Sequence, residues 1–247
     1  MFNIKNWGCL LRYRVKILRA YPRDAIIGIC GTILWHLPNF VLIQVIFMDV
    51  EQIDYSQGYL MLLYGLSVFG DGVQHMFAEA LWQFGNTFIK NAKYDEILIK
   101  PASNLTQVLT SRFDVDGLGG VLWGMACCFY GMKLLELLSL LGGLKLLIAM
   151  FCSACIFLGI NIGTSSLAFL FYDNFFITHT VFEFHKFARF PKKIYPNILT
   201  GFLTFIVPVF GATYYPVNII LHLPIIWLCL FAAGVVAFLH ICIKFWN

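Results

Sequence analysis

LTFIVPVFGATYYP, residues 203–216, begins as an apolar membrane span and then interrupts itself. Pro208, Gly211, Tyr214, Tyr215 and Pro216 fall within nine residues, where a crossing helix would still be running. Proline removes a helical hydrogen bond and glycine relaxes the backbone. Irregular backbone survives at membrane depth only where protein or water covers it. The stretch therefore predicts a fifth helix that ends early, then a short re-entrant element before Leu221. Tyr214 and Tyr215 are expected at the membrane interface, where tyrosine is favoured.

The rest of the chain supports a membrane setting. Hydrophobic residues make up 60% of the 247 positions and charged residues 12%, with a mean hydropathy of +0.79. Soluble domains carry about 45–50% apolar and about 25% charged residues. The apolar runs recur along the whole length, so one polytopic membrane domain over residues 1–247 is expected. Residues 1–23 interleave Lys5, Arg12, Arg14, Lys16, Arg19 and Arg23 with apolar side chains and show no small-residue cleavage site. That pattern suits an amphipathic helix lying on the membrane surface; the plainer reading is a positively charged lead-in to the first span.

A crossing helix needs about 20 apolar residues. Residues 25–48, 58–83, 117–138, 144–172, 197–210 and 218–244 meet or approach that requirement, predicting an all-α fold with six transmembrane helices. Pro38 predicts a kink in the first. Fifteen of the 17 basic residues lie in four places: residues 1–23, residues 90–112, residues 186–193, and Lys244. The positive-inside rule then puts both termini and two loops, 86–116 and 178–196, on the cytoplasmic side. Lys133 and Lys145 lie on the other side. The net charge of +4 is a signal of topology, and nucleic-acid binding is not expected.

Most of the eight cysteines sit inside apolar runs, which is not a disulfide framework. The Cys152/Cys155 pair lies mid-span without polar company and reads as packing. Gly120-x-x-x-Gly124 and Gly159-x-x-x-Gly163 are weak signals of close helix contact.

Asp71, His75 and Glu79 recur every four residues and share one face of the second span. Ionisable groups within a span are costly and are functional candidates. The preferred reading places them in the cytoplasmic half, facing water, the surface helix or a partner; a translocation path or proton relay is the other. His179, Glu183 and His185 in HTVFEFH do not have the HExxH spacing and read as a solvated amphipathic face. GINIGTS at 159–165 lacks the lysine of a nucleotide-binding loop. Catalytic and metal-binding residues are therefore not assigned, and any energy source is expected in another chain.

Residues 86–116 form a loop far longer than the usual connection between bundle helices. It mixes Phe88, Ile89, Ile97, Leu98 and Ile99 with Lys90, Lys93, Asp95, Glu96 and Lys100, and Pro101 follows. Short amphipathic helices ending at that proline are predicted.

Three stretches, YLMLLYGL at 59–66, YDEILIKPASNLTQVLTSRFD at 94–114 and YPNILTGFLTFIVPVFGATYYP at 195–216, resemble membrane subunits of ATP-binding-cassette (ABC) transporters. The resemblance is to the type-2 exporter permease family of six-span proteins. Asp95, Leu98, Lys100 and Pro101, then Arg112, Phe113 and Asp114, carry the first pattern; Lys100, Glu96 and Ile97 depart from it. Tyr195, Pro196, 203–206, Pro208, Tyr214, Tyr215 and Pro216 carry the second.

The resemblance implies half of an exporter in a bacterial inner (plasma) membrane. A second permease, identical or related, would pair with it across the lipid. Separate ATPase subunits would bind the ATP and Mg. Residues Lys93, Tyr94, Asp95, Glu96, Leu98, Lys100 and Pro101 would form the coupling helix on the ATPase. Residues 1–23 would be an elbow helix. Phe205, Pro208, Phe210, Tyr214, Tyr215 and Pro216 would form an outer gate. Two alternatives stay open: a membrane-embedded enzyme, or an accessory or immunity subunit that moves no substrate.

Overall fold

A computed structural model describes residues 22–49, 55–100, 103–171 and 174–246. The surface helix expected at 1–23 and the proline at 101 therefore lie essentially outside the described residues. Eleven α-helices follow one another among them: α1 (Pro22–Asp49), α2 (Gln57–Trp82), α3 (Tyr94–Leu98), α4 (Asn104–Ser111), α5 (Gly117–Leu134), α6 (Leu140–Ser166), α7 (Phe175–Phe184), α8 (Asn197–Phe205), α9 (Val209–Ala212), α10 (Tyr214–His222) and α11 (Ile225–Trp246). Short 3-10 turns at Leu167–Phe169, His185–Arg189 and Lys192–Ile194 and a π turn at Gly85–Ile89 connect them. No strand occurs among the described residues.

Local chemistry sets several boundaries. Ser56, Ser103 and Ser139 cap α2, α4 and α6 by accepting from the amides of Tyr59, Thr106 and Gly142, meeting donors that a helix start leaves free. After α5, Glu136 takes a left-handed backbone (φ 56°). Its own amide reaches the Lys133 carbonyl and that of Leu137 reaches Met132, closing the helix in the usual two-bond C-terminal motif.

α2 is the central element, and its packing explains its composition. Gly58, Gly65 and Gly72 lie seven apart and meet Gly131, Gly124 and Gly117 of the antiparallel α5. A Cβ on Gly65 would stand 2.9 Å from the Gly124 carbonyl oxygen, and one on Gly124 would stand 2.5 Å from the Phe69 amide nitrogen. Small residues let two backbones touch where apolar bulk gains nothing over lipid. On its other side α2 receives hydroxyls from the parallel α6. Ser153 donates to the Leu66 carbonyl at 2.8 Å and Ser165 to that of Leu81 at 2.9 Å. Between them, Ala78 leaves helical geometry (φ −125°, ψ 16°), and Asn161 Nδ2 donates to its carbonyl at 3.4 Å.

Among the described residues three helices, α1, α6 with its 3-10 extension, and α11, are long and apolar enough to cross a membrane; the bent pair α8 and α9–α10 would make a fourth. α1 and α11 are mostly exposed while α6 is mostly buried, so the first two face lipid or a partner. α2 and α5 run the length of the bundle beside them, but their glycines and polar residues dilute the hydropathy. The Gly159/Gly163 pair meets α11 through Phe238 and Cys242.

The two ends of the bundle are chemically distinct. At one end the fully buried Phe84 is ringed by Phe88, Tyr94, Phe169 and Trp246 at centroid distances of 4.6–5.7 Å. Here α3 and α4 dock through Ile97, Leu105 and Val108. At the other end Tyr55 stacks on Tyr59, Asn218 donates to the Tyr59 hydroxyl, and Lys145 Nζ donates to the Ile220 and Leu223 carbonyls at 3.0 and 2.8 Å. That lysine satisfies the C-terminal carbonyls of α10.

The segment 174–194 corrects an expectation. Asn174 abuts Gly85 at the Phe84 end, and Trp82 meets His179 and Phe182. His185 then contacts Asp71 halfway along α2. Lys192 Nζ lies over the Tyr214 and Tyr215 rings, and Lys193 Nζ lies 5.6 Å from the Tyr55 centroid. The chain thus traverses the bundle from one end to the other. A cytoplasmic loop at 178–196 on the same side as 86–116 does not fit this path.

The broken stretch follows from it. α8 starts beside Tyr195 near the Tyr59 end and runs back until Phe202 meets Phe184. The chain turns through Ile206–Pro208, bends by 70°, and returns through α9 and α10 to Asn218 and Tyr59. Phe210 packs on Tyr195, and Thr213 donates to the Ala188 carbonyl at 2.8 Å.

Candidate functional site

The charged face of α2 is shared between two groups from distant parts of the chain. Asp71 Oδ1 lies 3.2 Å from His185 Nδ1, and its Oδ2 lies 3.8 Å from the Arg189 guanidinium. His185 and Arg189 sit at the two ends of one 3-10 turn, so both reach the same carboxylate. Both are buried, which corrects the reading of His185 as part of a solvated face. His179 of the same motif is exposed, and Glu183 pairs with Lys186. The three residues of HTVFEFH therefore form no common cluster.

One turn along, His75 Nδ1 lies 2.8 Å from Glu79 Oε2, and its Nε2 lies 3.9 Å from Asp114. Arg112 stands 4.0 Å from both Glu79 and Asp114. The potential ligand atoms of His75, Glu79 and Asp114 all lie within 4.8 Å of one another, a spacing a small cation could bridge. Arg112 already supplies positive charge to the same carboxylates, so the geometry reads as an ion-pair network. Asp71, His75 and Glu79 thus share a helix face but not a partner set.

Both clusters border one cavity of about 500 Å3 between α1, α2, α5 and segment 174–194. Its wall includes His36, Asp71, Gly72, Asp116, Lys186 and Arg189. Asp116 precedes α5; burial, with Asp114 nearby, raises its carboxyl above the ordinary value. Sequence reading missed His36, Asp116 and Arg189 as members of this wall, and His185 and Arg189 as partners of Asp71. The available signal was the four-residue spacing of His185 and Arg189, which matches the demand of an intramembrane carboxylate for countercharge.

The two remaining candidate sets behave differently. In α3 and its flanks, Lys93, Asp95, Glu96, Leu98 and Lys100 are exposed, Tyr94 is half-buried, and Ile97 anchors the helix. Leu98 and Ile99 are 55% and 84% exposed, an apolar tip turned away from the protein. In the broken stretch, Phe210 and Pro216 are buried and Pro208, Tyr214 and Tyr215 half-buried, while Phe205 is 85% exposed. Phe205 therefore does not pack with the others.

An all-helical membrane protein with a polar cavity at mid-bundle depth and a docked amphipathic segment at one end has the make-up of a transport subunit. The family described as ABC-2 family transporter protein matches residues 33–247. The chain belongs to that family. Its members are membrane components of transporters and work with an ABC ATPase, so the chain's part is transport and not catalysis. No curated protein and no solved structure matches the chain.

Proposed function

We propose that the chain is the membrane half of an ATP-driven exporter in a bacterial inner membrane, with its transport path along the polar cavity. The observation that carries this is the charge-lined cavity of about 500 Å3 at the depth of Asp71, since charged groups inside a span are kept for passage or binding. The apolar tip of α3 is the coupling contact, seated on an ATPase that binds the ATP and Mg, with Pro101 ending it. A second permease, identical or related, completes the path, and lipids surround the pair. Residues 1–23 form the elbow helix.

In this reading six segments cross the membrane: α1, α2, α5, α6, residues 174–194, and α11. The fifth differs from the apolar stretch at 197–210. α8 to α10 form a re-entrant hairpin entering from the outer side, with Phe210, Tyr214, Tyr215 and Pro216, shaped by the break at Pro208, as the outer gate. The Tyr59 end is then outside, and both termini are cytoplasmic.

Two measurements test this. Charge reversal of Asp95 and Glu96, or Leu98→Asp with Ile99→Asp, is expected to lower co-purification of the ATPase at least tenfold, because about 1.4 kcal/mol suffices for each factor of ten. Undiminished association would remove α3 from the coupling role. For sidedness, Lys193→Cys is expected to react with an impermeant maleimide added outside intact cells, and Lys93→Cys only after the membrane is opened. Labelling of both positions from the same side would end the proposed path of 174–194.

A further inference from the structure

We infer that the cavity bounded by α1, α2, α5 and segment 174–194 binds an organic cation with an aromatic or apolar body. As a statement about transported substrate this rests on the exporter reading; as a statement about binding it stands on the cavity itself.

An unpaired carboxylate in the wall favours a cation. Three carboxylates, Asp71, Asp116 and Glu183, line the cavity with Lys186, Arg189 and the imidazoles of His36 and His75. Arg189 faces Asp71 and Lys186 pairs with Glu183. Asp116 is left over: among the described residues its carboxylate has neither a hydrogen bond nor an ion pair. Beside it, Glu79 and Asp114 share the guanidinium of Arg112 and the imidazole of His75. Among the described residues the other carboxylates of the cavity and the adjoining network are paired, which leaves the field of Asp116 uncompensated. Low-dielectric walls focus such a field and raise the local concentration of the opposite charge.

The walls supply the rest of the recognition. Trp35, Trp82 and Phe182 line the same space, and aromatic faces attract cations through their quadrupoles. A volume of about 500 Å3 falls within the range of about 300–1,000 Å3 that holds drug-sized ligands.

An independent observation also points to an occupant. His36 and Arg189 both line the cavity and are each 7% exposed. Among the described residues His36 Nδ1 and Arg189 Nε have no hydrogen-bond partner, although buried polar atoms are normally paired. Water or a polar group carried in with the cation would satisfy them. An anion fits poorly, because it would sit among three carboxylates while Arg189 is already engaged by Asp71.

The test uses the full chain in lipid nanodiscs with tetraphenylphosphonium and tetraphenylborate, ions of nearly equal shape and opposite charge. Binding is read from quenching of tryptophan fluorescence, with protein-free nanodiscs subtracted for partition into lipid. Tetraphenylphosphonium is expected to bind at least tenfold more tightly. Asp116→Asn should weaken its binding about tenfold, the scale for one charge at short range, and Lys186→Gln should tighten it. Both variants are first checked by gel filtration for wild-type elution. Equal or tighter binding of tetraphenylborate overturns the inference, as does cation affinity unchanged in both variants. ATPase co-purification is measured on the same samples. Loss of cation binding with ATPase retained sinks the site alone; cation binding without ATPase association sinks the exporter reading and leaves the site standing.

Discussion

Asp71→Asn is expected to destabilise the protein by about 3–5 kcal/mol, the cost of leaving a buried charge without its partner. The Arg189 guanidinium is buried beside this carboxylate, 3.8 Å away, and an arginine brings a charge with it. The asparagine keeps the shape and can still meet His185, but the countercharge is gone. Adding Arg189→Met should restore most of the loss, since removing both members of a buried pair is far less harmful than removing one. Unfolding can be followed on heating by the reaction of the buried thiols Cys127, Cys128 and Cys152, after the exposed Cys30 and Cys229 have been labelled. A single-mutant loss under about 1 kcal/mol, or a double mutant as weak as the sum of the singles, would show that Asp71 and Arg189 are not energetically coupled.

The second large effect is expected at Gly124. A Cβ there would lie 2.5 Å from the Phe69 nitrogen, 2.7 Å from its Cα and 2.8 Å from the Gly65 oxygen. All three are backbone atoms of α2, so no side chain can step aside and the helices themselves must part. Overpacking against movable side chains costs about 1–3 kcal/mol. Gly124→Ala should reach the top of that range, and Gly124→Val should abolish the folded monomer peak on gel filtration. Gly234 in α11 is the control. Nothing lies within 4 Å of its added Cβ, and alanine there should be neutral or stabilising by up to about 1 kcal/mol. Similar behaviour of Gly124→Val and Gly234→Ala would mean that α2 and α5 are not in backbone contact.

Several features were legible in the residues themselves. The all-helical membrane class follows from composition, and the membrane-crossing runs of α1, α6 and α11 from uninterrupted hydropathy. The amphipathic mixture at 86–116 correctly announced short helices, with Ile97 inward and Leu98 and Ile99 outward. Pro208 and Gly211 correctly announced a break, which falls between Phe205 and Val209.

The path of the fifth segment was not legible. Residues 197–210 are the more apolar, and 174–194 carries His179, Glu183, His185, Lys186, Arg189, Lys192 and Lys193, the mark of a basic loop by the rule that orients membrane proteins. In the folded chain those charges are met one by one. Asp71 meets His185 and Arg189, Glu183 meets Lys186, and tyrosine rings lie beneath Lys192 and Lys193. Charge is tolerated at depth when it is paired there, and the carboxylate that meets His185 and Arg189 lies more than a hundred positions away.

The sequence by itself thus determined that this protein lives in a membrane, that it is helical, and that it belongs among transport permeases, because each of these rests on composition or on local motif. Only the tertiary structure decided which stretch traverses the bundle beside Asp71, that α2 is its centre, and that Asp116 and His36 face a common cavity. Hydropathy counts each residue against lipid or water, whereas a buried ion pair or a glycine contact takes its energy from a partner the linear order does not name.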